Sequence, residues 1–237
     1  EHPSDINSVV DIMKNYAFIG FNEVDMNGHQ HINLLVNKVV GLPGDMGIRK
    51  NYAGVYEYYV NKLPENISGE LKIGENDPCV SNLTIGSDYT ISTNGSERYI
   101  EPNHVKVSPS VTNIKAETAT NKYIDLVNLQ NSFISYSAML AENADSTEGI
   151  GFNGQYDSSS NTWQNINRIN VTAESGTVFY NIDDTNFSKI NSDAIINFSD
   201  TSTASIVLNI DLKNISWDRK PFRLNIGGNQ PTMNEDV

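Results

Sequence analysis

The stretch YIDLVNLQNSFISYSAMLA, which runs from Tyr123 to Ala141, is the clearest helical element of the chain. Its apolar residues recur every three or four positions, as on one face of an α-helix. Asn121 or Thr120 can cap the start, and the polar run from Asn143 to Gly149 can end the helix. We therefore predict one amphipathic helix over about 122–142. The predicted buried face comprises Tyr123, Leu126, Val127, Gln130, Phe133, Ile134, Ser137, Leu140 and Ala141.

On both sides of this helix the chain is rich in short β segments. Apolar and polar residues alternate within them, and clusters of Gly, Pro, Asn and Asp separate them. Ser205–Ile210 is the most apolar segment and should form a core strand. A single long helix in such a chain should lie along a sheet. The other predicted strands are Val55–Val60, Glu70–Ile73, Asn82–Ile85, Tyr89–Ser92, His104–Val107, Thr112–Lys115, Ile169–Thr172, Thr177–Asn181, Ala194–Phe198 and Phe222–Ile226.

A second, short helix is predicted at the start of the chain. Ser4 can cap a helix that ends near Lys14, and Ile6, Val9, Val10 and Met13 share one face of it.

Composition limits the classes of function. The 237 residues suit a single domain, and the formal net charge of -13, without a basic cluster, argues against nucleic acid and anionic membranes as partners. No apolar run is long enough for a membrane span. Cys79 is the only cysteine, which excludes an intrachain disulfide, and we expect it to be a small buried side chain.

The motifs of metal sites and enzymes are weak in this chain. His29 and His31 would project to one face of a strand and could chelate a metal, but we expect them to form ordinary hydrogen bonds. Asp25 with Asn27, and the pair Asp183–Asp184, resemble fragments of calcium loops and are also good turn sequences. A nucleophile elbow and a His-Glu-x-x-His helix are absent from the sequence. We predict no catalytic residue, no metal and no cofactor.

Aromatic residues supply the remaining binding signal. The segment from Asp145 to Asn165 is rich in Ser, Asn and Gly, which is typical of a mobile loop or the tip of a long hairpin. Phe152, Tyr156 and Trp163 lie in this segment, where they are available to stack on a sugar or to anchor a protein. These three are the predicted ligand-binding residues, whereas we expect most other aromatic residues to lie in the hydrophobic core.

Six stretches of the chain follow one another in a characteristic order. They are Tyr16–Asn22, His29–Asn37, Tyr123–Leu126, Ser135–Ala141, Thr177–Ile182 and Ser205–Ile210. Together they resemble the choice-of-anchor A domain of bacterial surface proteins, also described as an ice-binding-like adhesive domain. One departure is Ile32, which stands where the family usually has Gly.

This resemblance implies a fold, a location and a function. The fold would be an irregular β-solenoid, or β-helix, with the long helix packed along its side and the short helix at its N-terminus. The domain would be displayed outside the cell by a cell-wall-anchored adhesin of a Gram-positive bacterium. It would bind a host or environmental glycan or an extracellular protein, as a monomeric head domain without catalytic activity. Family members continue past the strand at Ser205–Ile210, so C-terminal coils would be missing here or supplied differently.

Two other classes of function remain open. A carbohydrate-active enzyme could be built on a β-helix, and acidic residues aligned on one face would favour it. A structural stalk module would bind no ligand. An ice-binding face would need a regular Thr-x-Thr ladder, which the sequence does not contain.

Overall fold

The computed structural model describes residues 9–25, 33–40, 55–65, 67, 69–71, 80–146, 149–198, 204–211 and 223–226. The chain is mainly β, as predicted. It divides into two compact units, Glu1–Ser135 and Tyr136–Val237. The single domain expected over 1–237 stays a prediction. Among the described helices, none is long and apolar enough to cross a bilayer.

The first unit consists of two sheets and the helices beside them. Its elements in chain order are α1 (Val9–Asn15), β1 (Phe18–Asp25), β2 (Leu34–Val40), β3 (Val55–Lys62), β4 (Glu70–Leu71), β5 (Val80–Ile85), β6 (Thr90–Asn94), β7 (Glu97–Glu101), β8 (Val105–Val107), β9 (Asn113–Ala116) and the start of α2 (Leu126–Ala141).

Parallel pairing organises the larger sheet, in which the strand order is β1-β2-β3-β5-β9. Successive side chains of a strand point to opposite faces. Leu34 pairs with Tyr58, which pairs with Leu83, and all three enter one core. The next row, Leu35 and Tyr59, lies on the opposite face. Parallel sheets are typically buried on both faces, which explains the apolar runs in these strands.

A smaller sheet completes the main core of this unit. Its order is β4-β8-β7-β6, with β6, β7 and β8 antiparallel and β4 parallel to β8. Leu71, Ile100, Val105 and Val107 of this sheet join the same core as the inner face of the larger sheet. The turn between β6 and β7 contains Gly95 at φ 61°, a backbone angle that glycine adopts without strain.

Helices cover part of the other face of the larger sheet. Ile12 of α1, Tyr16 and Tyr123 form a second core with Leu35 and Tyr59. This cover lies over β2 and β3, because those strands supply the two sheet residues of the cluster.

The amphipathic helix exists, but the face predicted for it is wrong in part. Leu126, Leu129 and Phe133 are the half-buried helix residues that pack against the second core, whereas Val127 is 69% exposed and Ile134 is 60% exposed. Apolar residues occupy more than one stripe of this helix, so periodicity alone does not decide which stripe is buried.

The ends of this helix are also defined by the structure. Asp125, not Asn121 or Thr120, caps its start, because the Asp125 carboxylate accepts hydrogen bonds from the Val127 and Asn128 amides at 3.1 Å. Asn143 closes the other end by donating to the Met139 and Leu140 carbonyls. The predicted C-terminal stop is thus confirmed.

The N-terminal helix buries a different residue from those predicted. Ile12 is its buried side chain, whereas Val10 and Met13 are exposed. The predicted cap Ser4 and the face residue Ile6 lie outside the described residues. The sequence did not predict that Ile12 is buried, because Ile12 lies outside the helix face that contains Ile6, Val9 and Met13.

The second unit has a four-stranded sheet, β10-β11-β13-β15, and a parallel pair, β12-β14. Its core contains Ile166, Ile169, Tyr180, Ile182 and Phe187 among others. The elements that follow α2 are β10 (Ile150–Asp157), β11 (Thr162–Val171), β12 (Gly176–Ile182), α3 (Asp184–Ser188), β13 (Ile190–Phe198), β14 (Ala204–Ile210) and β15 (Arg223–Ile226).

The strand expected to be most central in the core is only partly buried. All residues of β14 are half-buried or exposed, and the fully buried residues of the pair, Tyr180 and Ile182, belong to β12. The apolar sequence therefore predicted the strand at Ser205–Ile210 correctly, but it did not predict how far this strand is buried. Each strand predicted between residues 55 and 226 overlaps a strand of the structure, while no separate strand was predicted at Glu97–Glu101 or at Ile150–Asp157.

Stacked polar side chains connect neighbouring strands in both units. In each pair an Asn amide donates to the side-chain oxygen of a residue 24 to 31 positions away. Such pairs require the strands to be in register, because a shift of one residue would turn one partner to the other face. The pairs are Asn37–Asn61, Glu57–Asn82, Asn82–Asn113, Asn167–Asn191, Asn170–Asn197 and Asn181–Asn209.

Two isoleucines test this description of the core of the first unit. Ile85 is fully buried, so Ile85→Ala should lower the free energy of unfolding by about 2–5 kcal/mol, through lost burial and a cavity. Ile134→Ala removes the same atoms from an exposed helix position and should change stability by less than about 0.5 kcal/mol. Urea denaturation followed by circular dichroism measures both, and similar losses in the two variants would contradict the assignment.

Candidate functional site

The three predicted ligand-binding residues lie on one hairpin of the second unit. Strands β10 and β11 are antiparallel, and Tyr156 pairs directly with Trp163. The rings of Tyr156 and Trp163 are 5.0 Å apart at 62°, and those of Phe152 and Trp163 are 5.8 Å apart at 89°. Such edge-to-face contacts are favourable for aromatic pairs. For residues 150–165 the hairpin alternative is therefore confirmed.

The three rings differ in what they offer a ligand. Phe152 and Trp163 are half-buried and pack against the core of the second unit, whereas Tyr156 is 46% exposed. The Tyr156 hydroxyl donates to the Asn161 side chain, which fixes the ring. Tyr156 is thus the most accessible of the three rings.

A polar turn holds the tip of the hairpin. The Asp157 carboxylate accepts hydrogen bonds from the Ser159 amide at 2.9 Å, the Ser159 hydroxyl at 2.6 Å and the Ser160 hydroxyl at 2.8 Å. These bonds favour the charged carboxylate and lower the pKa of Asp157 to about 2. The hairpin tip is consequently a fixed array of hydroxyl, amide and carboxylate groups beside an exposed ring.

The first unit contains a cleft that the sequence did not reveal. Its volume is about 450 Å³, and it lies on the face of the larger sheet that the helices cover in part. It is lined by Glu57, Asn82, Leu83, Thr84, Asn113, Ile114, Lys115 and Tyr123.

Tyr123, which lines the cleft, belongs to a cluster of three tyrosines. The Tyr16 and Tyr123 hydroxyls share a 2.5 Å hydrogen bond, and the Tyr123 ring stacks on Tyr59 at 5.0 Å. Glu117 accepts from the Tyr59 hydroxyl at 3.0 Å and from the Tyr123 amide at 2.8 Å. Burial raises the pKa of Tyr16 to about 12 and also raises the pKa values of Tyr59 and Tyr123. These three tyrosine hydroxyls are therefore neutral at ordinary pH and held in fixed positions.

The other residues that the sequence analysis considered for metal binding or reactivity form no site among the described residues. His29, His31, Asn27 and Cys79 lie outside the described residues. Asp183 caps α3 by accepting from the Asn186 amide at 2.7 Å, so this pair begins a helix rather than a turn or a calcium loop. Over the described ranges, no group of three or more His, Cys, Asp or Glu side chains could hold a metal ion.

No protein-family model, curated protein or solved structure matches the chain.

The carboxylate at the hairpin tip can be tested by pH. Because its pKa is lowered, Asp157 contributes stability above the ordinary value of 3.8, and this contribution is lost as the pH falls towards about 2. Carboxyl-carbon NMR should give a midpoint near 2 for Asp157. In a Ser159→Ala, Ser160→Ala variant the midpoint should rise towards 3.8, and an unchanged midpoint would contradict the hydrogen bonding described.

The tyrosine cluster makes a prediction of opposite sign. The raised pKa of Tyr16 means that its contribution to stability is complete below pH 10.0 and is lost as the pH rises towards about 12. The free energy of unfolding should therefore fall less steeply between pH 10 and 12 in Tyr16→Phe than in the wild type. Urea denaturation across this range measures both slopes, and identical slopes would contradict the buried position of this hydroxyl.

Proposed function

We propose that this chain is an extracellular adhesive domain of a bacterial surface protein, which binds a glycan or a protein and catalyses no reaction. The exposed Tyr156 ring on the β10–β11 hairpin is the observation that carries the proposal. It is held by the contact with Trp163 and the hydrogen bond to Asn161, so little conformational entropy is lost when a ligand packs on it.

The groups around Tyr156 favour a glycan over a protein as the ligand. The Asn161 side chain contacts the Tyr156 hydroxyl, and Asp157 and Ser160 supply a carboxylate and a hydroxyl a few residues along the same hairpin end. Sugars present hydroxyls at the ring edge and apolar C–H groups on the face, so an aromatic ring next to hydrogen-bonding side chains matches both surfaces.

We also propose that the parallel strands belong to an irregular β-solenoid. The support is the spacing of the stacked side chains, since 24 to 31 residues separate the partners in both units. Asn170, Asn197 and Asn225 occupy paired backbone positions on β11, β13 and β15, so the same register extends over three strands. A solenoid coil that returns to the same position would produce this arrangement.

A glycan array with the purified chain tests the binding role. The wild type should bind a defined subset of glycans, and Tyr156→Ala should weaken that binding by at least about tenfold, as expected for an aromatic anchor residue. Tyr136→Ala, a half-buried tyrosine of α2, is the matched control and should bind like the wild type. Circular dichroism of each variant checks folding.

Three outcomes would overturn this proposal. Unchanged binding by Tyr156→Ala would remove the hairpin site. Failure to bind any glycan on the array or any protein of an extracellular-matrix panel would favour a structural stalk module. Shortening of a bound oligosaccharide during incubation with the chain would identify an enzyme.

A further inference from the structure

The cleft of the first unit lies where the cover over the larger sheet ends. Leu35, Tyr59, Thr84 and Lys115 occupy paired positions on β2, β3, β5 and β9, and they point to the same face. Leu35 and Tyr59 are buried in the second core, while Lys115 is exposed at the other end of the row. The 450 Å³ volume lies within the range of about 300 to 1,000 Å³ that is usual for small-molecule sites.

A row of fixed polar groups lines the cleft. The Asn113 side chain donates to the side-chain amide oxygen of Asn82 at 2.7 Å, and the Asn82 side chain donates to the Glu57 carboxylate at 2.7 Å. These bonds orient the side chains before a ligand arrives, which lowers the entropic cost of binding. A carboxylate and an amide in one row can accept from and donate to several hydroxyls at once.

Thr84 adds a further polar residue to the cleft lining. It is largely buried, and it pairs with Lys115 of the neighbouring strand.

Lys115 is the cationic residue of the cleft lining, which also contains the Glu57 carboxylate. Its ammonium lies 6.0 Å from the centre of the Tyr123 ring, and no carboxylate of the described ranges forms an ion pair with it. In a chain with a net charge of -13, such a lysine is a local site for an anion. The fixed hydroxyl-binding row and the lysine together suit a ligand with hydroxyls and one negative charge.

We propose that this cleft binds a carboxylated sugar unit of an acidic glycan. The carboxylate of the sugar pairs with Lys115, and its hydroxyls bond to Asn82, Asn113 and Glu57. This site shares no residue with the β10–β11 hairpin, because all of its lining residues belong to the first unit. It stands or fails independently of the role proposed for Tyr156.

Titration of the full chain with carboxylated sugars tests the proposal. The probes are the methyl glycosides of galacturonate, glucuronate and sialic acid, each compared with its methyl ester, which keeps the hydroxyls and removes the charge. In amide-detected NMR at millimolar sugar, at least one acid should shift the signals of residues 82–84 and 113–115. Its ester should bind at least about tenfold more weakly, because a charged hydrogen bond is lost.

Variants of two lysines test whether Lys115 binds the carboxylate of the sugar. Lys115→Met should weaken binding of the acid by at least about tenfold, and Lys115→Arg should restore most of it. Lys122→Met is the control, since Lys122 is exposed and does not line the cleft. Tyr156→Ala should leave this binding intact, so failure of the hairpin site and failure of the cleft are distinguishable.

Four results would overturn the cleft proposal. They are no binding of any of the three acids, equal binding of acid and ester, an unchanged affinity in Lys115→Met, and tighter binding of a sulfated neutral sugar than of every carboxylated one. The last result would assign the lysine to a different anion.

Discussion

In-register pairing of parallel strands is the constraint on which the rest of the structure depends. In the first unit, Tyr58 and Leu83 share one row and enter the main core. The neighbouring row contains Tyr59 and Thr84, on the opposite face. A shift of one residue between β3 and β5 would exchange these faces. The stacked bond between Glu57 and Asn82 opposes such a shift, because it forms only when both side chains lie on the same face.

Each of the two candidate sites lies next to buried apolar side chains, at the point where accessible polar groups begin. On the larger sheet, Ile12, Tyr16 and Tyr123 cover β2 and β3, and the cleft begins beyond them. On the β10–β11 hairpin, Phe152 and Trp163 contact the core, whereas Tyr156 and the polar turn project from it. In both places a rigid apolar layer fixes the polar groups that a ligand can reach, which is the arrangement that binding sites require.

The sequence predicted most of the strands and named the residues of one of the two candidate sites. Strands such as Val55–Lys62 were predictable because aromatic and β-branched residues are concentrated between turn formers. Glu97–Glu101 was missed because charged residues occupy most of its positions, although the Asn94–Gly95 turn signals a hairpin there. The hairpin aromatics were found because they stand out in a segment with few apolar residues.

The cleft and the helix face were beyond sequence reasoning for a physical reason. Glu57 and Asn82 are 25 residues apart, and Asn113 is 31 residues beyond, so only the register brings them together. For α2, both the Leu126, Leu129, Phe133 stripe and the Val127, Ile134 stripe are apolar. The choice between them depends on the position of Tyr16, Tyr59 and Tyr123, which local periodicity does not encode.

Interstrand nuclear Overhauser effects across β3, β5 and β9 measure the register most directly. We expect backbone contacts that match the pairs Tyr59–Thr84 and Thr84–Lys115, with slow amide exchange in the same strands. Contacts displaced by one residue would place Asn82 and Asn113 on the face of the main core. That result would contradict both the packing and the cleft described for this unit.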